Sequence, residues 1–106
     1  MDQRKIKLYN VVEQTNLPEI PFDQIPAEGD PIEIGGEMYY VCDKATHQNS
    51  DYDVLGVIPL VVRNPSNVRN IKEYINCLSI AHRRVLFKRE NGGSCDLESC
   101  DEMIIT

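Results

Sequence analysis

A glycine pair between two alternating apolar segments most constrains the fold of this chain. Ile32–Ile34 and Glu37–Cys42 flank Gly35-Gly36, and glycine supplies the positive φ values that a two-residue hairpin loop requires. This loop sets Ile34 opposite Glu37. One face of the hairpin then carries Ile32, Ile34, Tyr39 and Val41, and the other carries Glu33, Met38, Tyr40 and Cys42. The sequence therefore predicts an antiparallel hairpin with one buried apolar face and one half-exposed face.

Three further segments have the composition of strands. Ile6–Val12 alternates with a period of two, and Val54–Val62 is almost wholly apolar and rich in β-branched residues. Pro59 cannot donate to a sheet, so this second strand must bend there or lie at an edge. Val85–Lys88 is predicted to be a short final strand.

An amphipathic helix is predicted from Ser66 to Arg84. Asn64 or Ser66 can cap it, and Pro65 suits its first turn. At 100° per residue the apolar arc holds Val68, Ile71, Tyr74, Ile75, Leu78, Ala81, His82 and Val85, and the polar arc holds Arg69, Lys72, Asn76, Ser79 and Arg83. On this arc His82 is expected to be a core or rim residue with a local hydrogen bond.

Two segments lack a regular period. Leu17–Pro26 contains three prolines, which forbid a helix and remove sheet donors. We expect it to be an extended connector that caps the core, with a surface peptide groove as the alternative. Residues 43–53 are polar and are predicted to form a mobile loop.

These elements together predict an α+β fold. It consists of a small antiparallel sheet or partly open β-barrel of about four or five strands, packed by one amphipathic helix. Residues 1–90 are expected to form a single domain. Residues 91–106, which begin Asn91-Gly92-Gly93, are expected to form an acidic, mobile tail, although Met103–Ile105 could dock. The segment 29–41 resembles hairpins of SH3-like and OB-like barrels and of small phage structural proteins, which implies a shape and no activity.

The chain shows no sign of a membrane span or of export. No apolar run approaches ~18 residues, and the first residues, Met1-Asp2-Gln3-Arg4-Lys5, lack the apolar core of a secretory signal. Four cysteines without such a signal are expected to be reduced thiols rather than disulfides. The predicted location is the cytoplasm.

The charge of the chain is unevenly distributed. The net charge is −6, yet the segment from Arg63 to Glu90 holds seven basic and two acidic residues. The predicted interaction surface within it comprises Arg69, Lys72, Arg83, Arg84 and Lys88. We expect these residues to face acidic parts of the same fold or another protein. A nucleic-acid interface, with Tyr39 and Tyr40 as a stacking platform, is the alternative, and the acidic remainder of the chain opposes it.

Catalytic and metal-binding chemistry have weaker support. Cys42, His47, Asp51 and Asp53 could supply a nucleophile, a base and an orienting group, and this segment defines an enzyme alternative. Cys95 and Cys100 lack the second closely spaced pair of a zinc site. The predicted function is therefore a non-catalytic interaction or assembly module without a cofactor, whose partner is another protein or a second copy.

Overall fold

The computed structural model describes residues 5–18, 26–46, 52–93 and 95–106. The elements within these ranges are β1 (Lys5–Asn10), β2 (Thr15–Leu17), β3 (Pro31–Ile34), β4 (Glu37–Thr46), β5 (Tyr52–Pro59), β6 (Val61–Arg63), a 3-10 turn (Pro65–Asn67), α1 (Ile71–Ile80), β7 (Val85–Lys88) and β8 (Glu102–Ile105). The strands form a five-stranded sheet, ordered β2-β1-β5-β4-β3, and a three-stranded sheet, ordered β6-β8-β7. The α+β class is confirmed, and neither sheet closes into a barrel.

The hairpin register predicted from the glycine pair is confirmed. Ile34 pairs with Glu37, and Ile32 pairs with Tyr39. The predicted apolar face is buried throughout. The opposite face is divided, because its end nearest the loop is exposed whereas Tyr40 and Cys42 are buried in the cluster that contains α1.

The apolar run Val54–Val62 is divided between the two sheets. β5 ends at Pro59 and β6 begins at Val61, so the bend expected at this proline is present. Between them, the Leu60 N–H donates to the Met38 carbonyl at 3.3 Å, and the Leu60 carbonyl accepts from the Ile105 N–H at 2.9 Å. One predicted strand therefore contributes to two sheets, which accounts for the additional sheet.

The five-stranded sheet is mixed rather than wholly antiparallel, because β1 runs parallel to β5. The chain turns away after β1, where the buried Asn10 side chain accepts the N–H groups of Val12 and Glu13 at 3.0 and 3.2 Å. β2, which periodicity did not predict, then returns along the outer edge of β1. A parallel pair needs distant segments to meet, and local patterns carry no information about that meeting.

Buried apolar residues form two clusters on opposite faces of the five-stranded sheet. One contains Ile6, Leu8, Ile32, Ile34, Tyr39, Val41, Leu55 and Val57. The other lies between this sheet, α1 and the three-stranded sheet, and contains Val11, Tyr40, Cys42, Ile58, Val62, Ile71, Leu78, Met103 and Ile105. Leu17 packs against the first cluster, whereas residues 19–25 of the predicted connector lie outside the described residues.

The helix is shorter than predicted at both ends. Asn64 and Asn70 adopt left-handed conformations, with φ of 49° and 61°, so the segment before Ile71 holds a 3-10 turn instead of α-helix. At the other end His82 is left-handed, the His82 N–H donates to the Ser79 carbonyl, and the Arg83 N–H donates to the Leu78 carbonyl. This bonding pattern is a Schellman motif. His82 is therefore an exposed residue that ends the helix, rather than the expected core or rim residue.

Two expectations about irregular segments are corrected. Residues 43–46 belong to β4 and residues 52–53 belong to β5 rather than to a loop, and residues 47–51 lie outside the described residues. The segment 91–106 is not merely an appended tail, because Glu102–Ile105 forms the central strand of the three-stranded sheet. Met103 and Ile105 are both fully buried in the core, and this burial provides the apolar contact that holds the segment in place.

Lysine substitutions at two neighbouring positions, one buried and one exposed, test the hairpin register. Ile34→Lys places a charge in the buried cluster, so we expect it to unfold the protein or to lower the melting temperature by more than ~15 °C. The exposed matched control, Glu33→Lys, should shift the melting temperature by no more than ~3 °C. Thermal unfolding followed by circular dichroism measures both, and equal tolerance would contradict the register.

The central position of β8 is tested by two neighbouring truncations. Met103→Ala removes a fully buried side chain, so we expect a loss of about 2–5 kcal/mol in the free energy of unfolding. Ile104→Ala, on the half-exposed side of the same strand, should cost no more than about 1 kcal/mol. Urea unfolding distinguishes the two, and a small cost at Met103 would show that β8 is not part of the core.

Candidate interaction surface

Three aliphatic residues form a row across the exposed side of the three-stranded sheet. Val61 pairs with Ile104, and Ile104 pairs with Leu86 on its other side. Val61 and Leu86 are 43% and 42% exposed, and Ile104 is half-buried. Side chains alternate along a strand, so the next residues, Val62 and Met103, point into the core.

Charged residues lie at both ends of this apolar row. Two positions along the strands, Arg63 pairs with Glu102, and Glu102 pairs with Lys88. At the other end Arg84 continues the ladder, since its backbone exchanges hydrogen bonds with that of Thr106 at 3.1 and 2.9 Å. We call this surface the outer face, and it comprises Val61, Arg63, Arg84, Leu86, Lys88, Glu102 and Ile104.

A groove of about 210 Å³ continues the outer face at its charged row, and it is lined by Arg63, Lys88, Arg89, Glu90, Asp101 and Glu102. Two of these side chains hold the adjacent loop: Arg89 Nε donates to the Ser99 carbonyl at 3.0 Å, and Asp101 Oδ2 accepts the Glu90 N–H at 2.8 Å. Arg63 and Lys88 are both exposed on the outer face.

A compact turn leads into β8 and fixes its position. Asp96 Oδ1 accepts the Ser99 hydroxyl at 2.9 Å and the N–H groups of Ser99 and Glu98 at 3.0 and 3.1 Å. These bonds, chiefly those from Ser99, lower the pKa of Asp96. The turn buries Cys100, whose Sγ donates to the Leu97 carbonyl at 3.4 Å. The predicted tail residues therefore help to hold the outer face in place.

The five basic residues predicted as an interaction surface do not lie together. Arg84 and Lys88 share the outer face. Arg83 is tied inward, because its Nε donates to the Gly29 carbonyl at 2.8 Å and its guanidinium lies 5.0 Å from the centroid of the Tyr40 ring. Arg69 lines a separate depression, and Lys72 is exposed on α1.

Sequence reasoning missed the apolar half of this surface. Val61 falls within the single apolar strand predicted at Val54–Val62, and Ile104 falls within the predicted tail. Arg63 was counted in the basic segment but was not placed on the predicted surface. The alternation in Val61-Val62-Arg63 and in Glu102-Met103-Ile104 is the signal that could have found these residues.

A second cavity, of about 280 Å³, lies between α1 and β4, and its lining includes Glu28, Cys42, Asp43, Glu73 and Cys77. Cys77 Sγ donates to Glu28 Oε2 at 3.2 Å, and burial together with this carboxylate raises the pKa of Cys77 to about 11. Burial, with a smaller contribution from the Asp43 charge, also raises the pKa of Cys42, whose Sγ donates to the Gly56 carbonyl. Both thiols are therefore protonated at neutral pH, the form that is a poor nucleophile.

The residues of the predicted enzyme loop are only partly described. His47 and Asp51 lie outside the described residues, and Asp53 lies in β5 without a described side chain. Across the described ranges no group of three His, Cys, Asp or Glu side chains is placed to hold a metal ion. In the same ranges the structure has no helix of the length and apolarity that crossing a membrane requires.

Comparison with known proteins gave no match: no family model, no curated protein and no solved structure corresponds to this chain. The residues of the outer face and of the two cavities are therefore the basis for a functional interpretation.

The hydrogen bond between Cys77 and Glu28 gives a test by thiol alkylation. A nearby carboxylate disfavours the thiolate, so Glu28→Gln should lower the pKa of Cys77 from about 11 and accelerate its alkylation by iodoacetamide several-fold at pH 8. Peptide mapping by mass spectrometry reports the rate at this cysteine alone. Glu73→Gln, in the same cavity, is the control and should leave the rate unchanged. An unchanged rate in Glu28→Gln would contradict the assigned contact.

Proposed function

We propose that this chain is a non-catalytic interaction module that binds an acidic partner protein through the outer face. The observation that supports this proposal is the row of Val61, Ile104 and Leu86, whose two outer members are exposed, with basic side chains at both of its ends. A contiguous apolar patch with a charged rim is typical of a protein-binding surface.

The apolar row and the charged rim have different roles in this proposal. Complete burial of an aliphatic side chain contributes roughly 1.5–3 kcal/mol, whereas an exposed ion pair contributes ~0–1 kcal/mol. The row therefore supplies most of the affinity. Arg63, Arg84 and Lys88 favour an acidic partner and set its orientation and its rate of encounter.

A second copy of the chain fits this surface less well than an acidic partner. In a face-to-face dimer with its two-fold axis parallel to the strands, Glu102 lies opposite Glu102 and Arg63 lies opposite Lys88. With the axis across the strands, Arg84 of one copy lies opposite Lys88 of the other copy. Both arrangements bring like charges together, and such contacts oppose association.

A nucleic acid is the alternative partner, and the carboxylates of the surface argue against it. Glu102 lies between Arg63 and Lys88, and Glu90 and Asp101 line the adjoining groove. A polyanion would have to approach these charges. We further propose a cytoplasmic location, because all four cysteines are free thiols.

Selection of binders with matched surface variants tests the proposal. Random 16-residue peptides displayed on phage are selected on the immobilised chain, and the affinities of recovered peptides are measured by fluorescence anisotropy. We expect the recovered peptides to be acidic with aliphatic residues. Leu86→Lys and Val61→Lys should each weaken their binding at least tenfold, because a charge interrupts the apolar row.

Met38→Lys and Ile80→Lys are the controls, because Met38 and Ile80 are 41% and 71% exposed and neither belongs to the outer face. Neither should change peptide affinity, and circular dichroism should show that all four variants remain folded. Binding that is insensitive to both Leu86→Lys and Val61→Lys would refute the proposal. A recovered population without acidic enrichment would refute the acidic chemistry of the partner.

A further inference from the structure

β7 is an edge strand with backbone groups directed away from the sheet. Within the described residues it pairs with β8 alone. Arg84 exchanges both backbone hydrogen bonds with Thr106, and bonded pairs alternate along an antiparallel ladder. Leu86 and Lys88 are therefore the next positions bonded to β8, and the N–H and carbonyl groups of Val85 and Phe87 are directed towards the open edge.

The outward side chains of β7 define what an added strand would carry. Arg84, Leu86 and Lys88 lie on the outer face at every second position, in the order basic, aliphatic, basic. Directly opposed side chains of opposite charge stabilise a pair of strands, as do opposed aliphatic side chains. A complementary strand therefore presents acidic, aliphatic and acidic residues at alternate positions.

The strand already paired with β7 follows part of this rule. Glu102 of β8 lies opposite Lys88, and Ile104 lies opposite Leu86. A strand on the open side would repeat these pairings and extend the apolar row of the outer face by one residue. Its intervening residues would lie beside Val85 and Phe87, which are half-buried, so β-branched residues suit those positions.

We propose that the partner contributes an extended segment of the pattern acidic-x-aliphatic-x-acidic, which adds to β7 as an antiparallel fourth strand of the three-stranded sheet. This inference rests on the proposed function and specifies how one segment of the partner binds, beside the apolar row that the rest of the partner covers. Main-chain hydrogen bonds to Val85 and Phe87 contribute affinity, and the alternate side chains determine specificity.

The β7 strand of a second copy does not fit this edge. In an antiparallel pair centred on Leu86, Arg84 of one copy lies opposite Lys88 of the other, and the reciprocal pair is also basic. Like charges directly opposite one another destabilise paired strands, and charged side chains on an edge strand guard against self-association. The same two cations attract an acidic segment.

Two peptides of identical composition test the pattern. The first has the core Glu-Thr-Ile-Val-Glu between Gly and Ser residues. The second has the core Thr-Glu-Ile-Glu-Val, which cannot place both acidic residues and Ile on one side of a strand. In fluorescence anisotropy at low salt, we expect the first peptide to bind at least tenfold more tightly than the second. Equal affinity would overturn the inference.

Backbone N-methylation tests strand addition. In the first peptide the Thr N–H faces Phe87 and the Val N–H faces Val85. Methylation of these two nitrogens should therefore weaken binding at least tenfold. Methylation of the Ile nitrogen, whose N–H faces away from β7, is the control and should have little effect. Hydrogen exchange of the Val85 and Phe87 amides should slow on binding.

Charge reversal tests the side-chain pairing. The double variant with Arg84→Glu and Lys88→Glu should no longer bind the first peptide. It should instead bind a peptide with the core Lys-Thr-Ile-Val-Lys. Strand addition is overturned if the first peptide does not bind the unmodified chain. It is also overturned if N-methylation at Thr and Val leaves the affinity of that peptide unchanged. The proposed function fails separately, if the phage-selected peptides bind without dependence on Leu86 and Val61.

Discussion

The backbone of Leu60 joins the two sheets, and the arrangement of the rest of the molecule follows from that junction. The last residue of β5 is Pro59, which pairs with Tyr39 of β4 and has no N–H. The next N–H, from Leu60, still bonds to β4, whereas the Leu60 carbonyl already bonds to β8. The direction of the chain at this residue fixes which side of β6 is buried. A shift of one residue would place Val62 outside and Val61 in the core.

The three-stranded sheet also depends on a segment from the far end of the chain. β6 and β7 do not pair with each other, and β8 lies between them. Met103 and Ile105 supply the buried side chains of that central strand, while Glu102 and Ile104 complete the outer face. A segment with acidic composition thus has a structural role on its inner side and a place in the candidate surface on its outer side.

The parts of the fold that were predicted from sequence are governed by local chemistry. The Gly35-Gly36 loop fixes the register of the residues next to it, and Pro59, which has no N–H, favours a bend or an edge position in any sheet. The pairing of β1 with β5 and of β8 with two strands depends on distant contacts, which no local pattern specifies. The ends of the helix were missed because Asn70 and His82 adopt left-handed conformations that their residue types permit but do not require. Because the predicted helix extended past both of these ends, the sequence also grouped basic residues that the fold separates.

Arg83 and Arg84 show how the end of the helix creates the candidate surface. The Schellman motif at His82 ends α1 shortly before β7, and the two arginines that follow differ in exposure, since Arg83 is half-buried and Arg84 is exposed. Arg83 ties Gly29 and Tyr40 together, and Gly29 itself lies so close to Ala81 that an added Cβ would overlap that side chain. This tether anchors the end of the helix against the five-stranded sheet. Arg84 is thereby held on the outer face at a fixed spacing from Leu86 and Lys88. That spacing produces the basic-aliphatic-basic pattern that the proposed acidic-x-aliphatic-x-acidic segment complements.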